Sequence, residues 1–87
     1  MNTIKIQELS TQRCSHCKEA RKILEQEIKS QFPNVEMEFV DMTTDQGQKM
    51  VQQYGIMFSP GIIVNGELFS MGGLDKDKLI EKIKEFS

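Results

Sequence analysis

The chain has 87 residues, 38% of them hydrophobic and 28% charged, and a formal net charge of −2. One domain spanning residues 1–87 is expected at this length, with a modest core and little stability to spare. Scattered lysines and arginines in a slightly acidic chain exclude a nucleic-acid binder, no apolar run nears the ~20 residues of a membrane helix, and the alternating start from Asn2 is unlike a signal peptide.

Thr3 to Leu9 alternates polar and apolar residues as a strand does, and Ser10-Thr11-Gln12-Arg13 breaks the pattern. From Cys17 onward, Ala20, Leu24 and Ile28 recur at helical spacing beside Ile23, predicting an amphipathic helix that ends before Pro33-Asn34. Val35 to Met42 alternates again. Thr43-Thr44-Asp45-Gln46 offers a capping-box start for a helix carrying Met50, Val51 and Tyr54, and Gly55 is its stop. Gly61–Val64 and Glu67–Ser70 read as short strands joined by Asn65-Gly66, the pair a type I′ hairpin turn needs. After Gly72-Gly73, Asp75 opens a last helix with Leu79, Ile80, Ile83 and Phe86 on one face. The order β-α-β-α-β-β-α predicts an α/β fold: a four-stranded mixed sheet, a parallel first crossover, an antiparallel hairpin and helices on both faces.

The two cysteines, Cys14 and Cys17, are spaced C-x-x-C where the first helix begins. A cytoplasmic location is expected, and there a purely structural disulfide is rare, so the pair points to catalysis or metal binding. At a helix start, free backbone N–H groups stabilise an anion on Cys14, and Arg13 and His16 add donors or positive charge that tune its pKa downward. Cys14 is then the nucleophile. Cys17, one turn further in, is the resolving thiol. Other readings stay open: two inert buried cysteines, or a C-x-x-C loop for a soft ion such as Cu(I). A structural zinc site would need about four ligands, whereas the chain offers two cysteines and one histidine, so no structural zinc is expected and the leading reading carries no metal.

Strand, C-x-x-C at a helix start, and then Gly55-Ile56-Met57-Phe58-Ser59-Pro60-Gly61-Ile62-Ile63-Val64-Asn65-Gly66-Glu67 together resemble the thioredoxin superfamily. The likeness is greatest to its short glutaredoxin-like thioredoxins and covers nearly the whole chain. It implies a thiol–disulfide oxidoreductase acting as a monomer on disulfide-containing proteins, with no cofactor beyond its own cysteine pair. A thioredoxin reductase or glutathione, as co-substrate, would return the dithiol. It also implies that Pro60 is cis and faces the cysteine pair, a placement that an X-Pro step at a strand mouth tolerates. The Ser59 backbone would then pair with an extended substrate segment. Glu8, six residues before Cys14, stands where many thioredoxins bury a carboxylate that relays a proton to the second cysteine; strand-end exposure is the alternative.

Several residues depart from the family pattern. There is no tryptophan, and Ser15-His16 replaces the Gly-Pro usual in thioredoxins, or the Pro-Tyr of glutaredoxins. A histidine before the second cysteine resembles the disulfide isomerases and periplasmic oxidases, which implies a less reducing couple. Gly72-Gly73-Leu74-Asp75 resembles the element with which glutaredoxins hold glutathione, with Lys76 near enough to meet a carboxylate. The same residues also read as a glycine turn with Asp75 as helix N-cap. Metal-carrying C-x-x-C modules run β-α-β-β-α-β and end on a strand, unlike this chain. An iron–sulfur glutaredoxin, its cluster shared between two subunits, is the other metal alternative.

Overall fold

A computed structural model describes residues 3–86. Four strands form one sheet in the order β2-β1-β3-β4: β1 (Ile4–Ser10), β2 (Val35–Asp41), β3 (Gly61–Val64) and β4 (Glu67–Met71). β1 runs parallel to β2, while β3 is antiparallel to both β1 and β4. The helices are α1 (Ser15–Lys22), α2 (Lys29–Gln31), α3 (Asp45–Tyr54) and α4 (Lys76–Glu85). The mixed four-stranded sheet and its element order are those the sequence predicts.

Strand alternation divides the core into two layers. Ile4 and Ile6 of β1, Ile62 and Val64 of β3, and Val35 pack with Ala20, Leu24, Ile28, Leu79 and Ile83 on the face covered by α1 and α4. Leu9, Ile63 and Val40 pack with Met42, Met50 and Ile56 on the face covered by α3. Each strand residue points opposite to its neighbour. Glu8 therefore follows Ile4 and Ile6 onto the α1 face, and only 1% of it is exposed.

Two local features were not predicted. The first helix is regular only to Lys22. Ile23–Ile28 is a π-helical turn, closed by the Lys29 N–H donating to Leu24 O, five residues back, before α2 resumes the α-helix. Apolar spacing is too coarse to register one extra residue in a turn. The start of α3 also differs: Thr44 is the N-cap, its Oγ1 accepting from Gly47 N at 3.1 Å. The third helical position is thus a glycine, and no reciprocal glutamine completes a capping box. Gly47 costs helix propensity, about 1 kcal/mol relative to alanine. Its value is close packing, since a Cβ there would lie 2.7 Å from Met42 Cα.

At the other end of α3, Gly55 adopts φ 65° and returns its N–H to Val51 O, as a left-handed helix stop does. The hairpin turn takes positive φ at both Asn65 (49°) and Gly66 (80°). Asn65 also bonds across to β1: its N–H donates to Lys5 O and its Oδ1 accepts from Lys5 N, each at 2.8 Å.

Candidate active site

Cys14 is the N-cap of α1, in an extended conformation (φ −107°, ψ 107°). Its Sγ accepts the backbone N–H of Cys17 at 3.1 Å, a bond that stabilises negative charge on the sulfur. Cys14 and Cys17 form a disulfide with their Cα atoms 5.2 Å apart. Cys17 is 4% exposed, whereas Cys14 is only half-buried. A reagent from solvent therefore meets Cys14 first.

Ser59 reaches the same sulfur from the loop before β3. The Ser59–Pro60 peptide is cis, and Ser59 Oγ lies 3.5 Å from Cys14 Sγ and 3.5 Å from Thr11 Oγ1. Pro60 is buried, but Met57 and Phe58 just before it are 79% and 64% exposed. These two are surface residues of the loop, not core. Gly72, at φ 86°, donates its N–H to Pro60 O at 2.9 Å, which seats the end of the hairpin against the proline.

Behind the disulfide, Glu8, Arg13, Cys14, Cys17, Lys18 and Arg21 line a cavity of about 310 Å³. Neither Glu8 oxygen has a hydrogen-bond partner among the described residues. Arg21 Nε lies 3.7 Å from Glu8 Oε1. Burial raises the Glu8 carboxyl from 4.5 to about 7; the Arg21 charge opposes that rise and Glu25 adds to it. The strand-end exposure considered for Glu8 is not what the structure has.

The remaining candidates divide. Arg13 sits at φ 58° in the turn before Cys14 and lines the cavity. The exposed His16 side chain lies over the helix surface, its Nδ1 3.8 Å from Glu19 Oε2. Asp75 is the N-cap of α4, where its Oδ1 accepts from Lys78 N at 3.2 Å. Lys76 Nζ pairs with Glu27 Oε1 at 3.1 Å. Gly73 O accepts from Ser70 Oγ at 3.0 Å. Among the described residues, no group of three His, Cys, Asp or Glu side chains could hold a metal ion. Arg21 was not picked out from the sequence, although it stands one turn after Cys17, the i, i+4 spacing that aligns two residues on a helix face.

Comparison with known proteins agrees with this geometry. The family model for the thioredoxin domain matches residues 2–85. A curated relative, the thioredoxin of Methanocaldococcus jannaschii, is 33% identical over 86 residues, covering 98% of each chain. The structure of Fasciola hepatica thioredoxin superposes with a TM-score of 0.75 at 22% identity, over 98% of this chain and 82% of that one. The N-terminal domain of the alkylhydroperoxide reductase AhpF from Enterococcus faecalis gives 0.77 at 24% identity, over 94% of this chain and 38% of that one. The latter two show the fold; the family match and the curated relative go further, and with the Cys14–Cys17 pair they place this chain in the thioredoxin family of thiol–disulfide oxidoreductases.

Proposed function

We propose that the protein is a reductase of protein disulfides, thioredoxin-like in its turnover, working as a monomer in the cytoplasm. The observation that carries this reading is the position of Cys14 Sγ. It is bonded to the helix-start N–H of Cys17 and lies 3.5 Å from the hydroxyl of Ser59, the residue that follows exposed Met57 and Phe58 in the loop. In the reduced protein the Cys14 thiolate attacks one sulfur of a substrate disulfide. The substrate's second sulfur leaves with the electron pair, and a mixed disulfide remains. An extended substrate segment lies along the Ser59–Pro60 loop during this step. Cys17 then attacks Cys14, freeing the reduced substrate and closing the disulfide. Glu8, sharing a cavity with Cys17, takes the proton that Cys17 gives up. His16, replacing the family's usual proline, sets a less reducing couple.

Turnover by a dithiol reductase is favoured over turnover by glutathione. In a glutaredoxin-like site Asp75 and Lys76 would meet the tripeptide, but here one caps α4 and the other pairs with Glu27. The two electron donors are separated by reducing a protein disulfide with NADPH and a thioredoxin reductase, or with glutathione and its own reductase. Turnover is expected in the first assay and only background in the second. Faster turnover with glutathione would reverse the assignment and return Gly72, Gly73 and Asp75 to a glutathione site.

A further inference from the structure

Neither Glu8 oxygen has a hydrogen bond among the described residues, yet a cation is fixed beside one of them. The Arg21 guanidinium carbon lies 4.4 Å from the centre of the Phe39 ring. Phe39 is the β2 register partner of Glu8, so sheet pairing brings ring and carboxyl side by side. A flat guanidinium stacked on a ring is held in orientation more firmly than an ammonium would be. Its charge therefore stays near Glu8 although the arginine side chain is about half exposed. The other charges around Glu8 are Glu25 on the π-helical turn, of opposing effect, and Arg13 and Lys18 lining the cavity. Across the sheet, β3 offers Glu8 only Ile62.

We propose that Arg21 is a positioning residue for proton transfer: stacked on Phe39, it holds the ionised form of Glu8 in the wall of the cavity it shares with Cys17, ready to take the proton of Cys17. The inference rests on the relay proposed for Glu8. In the resolving step the Cys17 Sγ–H proton passes to a Glu8 oxygen, and Cys17 Sγ bonds to Cys14 Sγ. The bond from Cys14 to the substrate sulfur breaks and its electron pair leaves on that sulfur. The two cysteines are oxidised, the substrate is reduced, and the Glu8 proton leaves through the cavity to solvent. Burial alone would keep Glu8 protonated over a wider pH range and withhold the base. Arg21 supplies the counter-charge without a hydrogen bond that would occupy the carboxylate.

The test is a titration of the Glu8 carboxyl by carbon-13 NMR in the disulfide form, where no thiol ionises, alongside the pH profile of turnover. In Arg21→Met the midpoint is expected to rise from about 7 to about 8, cutting the ionised fraction at neutral pH about fivefold. The turnover profile should move to higher pH with it, and Arg21→Lys, which keeps the charge but not the stack, should restore both only in part. An unmoved midpoint in Arg21→Met overturns the proposal, and so does a full return to wild type in Arg21→Lys, which would leave the stacking on Phe39 without a role. Wild-type turnover in Glu8→Gln would remove the relay and Arg21's part in it. The titration distinguishes that failure from loss of the Arg21–Glu8 coupling itself.

Discussion

The two sides of the disulfide are built from opposite materials. Toward Pro60 the surface is neutral and apolar, with Met57 and Phe58 exposed and the hydroxyls of Thr11 and Ser59 bridging to Cys14. Toward the sheet lie a buried carboxyl, a stacked arginine and a cavity. Exposed apolar side chains suit a protein partner, whereas a desolvated acid suits the handling of one proton. In the proposed mechanism this contrast separates docking from proton transfer in space, with Cys14 facing the first task and Cys17 the second, although only two residues lie between them.

The largest effect should come from the sulfur where the two sides meet. Cys14→Ser is expected to abolish disulfide reduction, and Cys17→Ser to stall as a mixed disulfide visible by mass spectrometry. Retained turnover in Cys14→Ser would break the division of labour at once.

The next effect belongs to the sheet side and concerns stability. Below pH 4.5 Glu8 is protonated in both the folded and unfolded states and contributes no pH dependence. As pH rises, the unfolded chain releases this proton first, so stability falls until the folded carboxyl ionises at about 7. The loss is about 3 kcal/mol, the worth of that separation. Urea unfolding of Glu8→Gln against wild type should show a difference that opens between those two values and stays constant above. A difference independent of pH would mean that Glu8 is solvated.

The smallest effect lies on the docking side. Phe58→Ala should raise KM for a protein disulfide about fivefold, as loss of roughly 1 kcal/mol at an interface does. It should leave reduction of a small aromatic disulfide unchanged. Equal losses on both substrates would place Phe58 in the chemistry rather than in docking.

The docking side was the more legible of the two in the sequence. Cys14, Cys17, Pro60 and the Asn65-Gly66 turn are short-range signals whose geometry is set within a few residues. Glu8 on the core face also follows from local alternation with Ile4 and Ile6. Its environment does not. Phe39 meets Glu8 only through the register of β1 against β2, and Arg21 reaches both only once α1 is docked over the sheet. The Gly72-Gly73-Leu74-Asp75 stretch was less legible. A Gly-Gly-x-Asp pattern serves a ligand site or a helix cap equally well; the Asp75 carboxylate caps α4, and the glutathione assay decides the ligand reading. Gly47 was unreadable for a similar reason: its need for an absent side chain comes from the backbone of Asp41 and Met42, a separate turn of chain.

The pairing of Asn65 with Lys5 joins positions sixty residues apart. The turn residue extends the β1–β3 ladder beyond the hairpin itself, so the sheet cannot take its final register until β3 and its turn, sixty residues downstream of Lys5, have been synthesised and have collapsed onto β1. Contacts of such separation carry a large loop-closure entropy and slow folding. The central strand β1, first in sequence, must therefore wait for β3 with one edge unpaired.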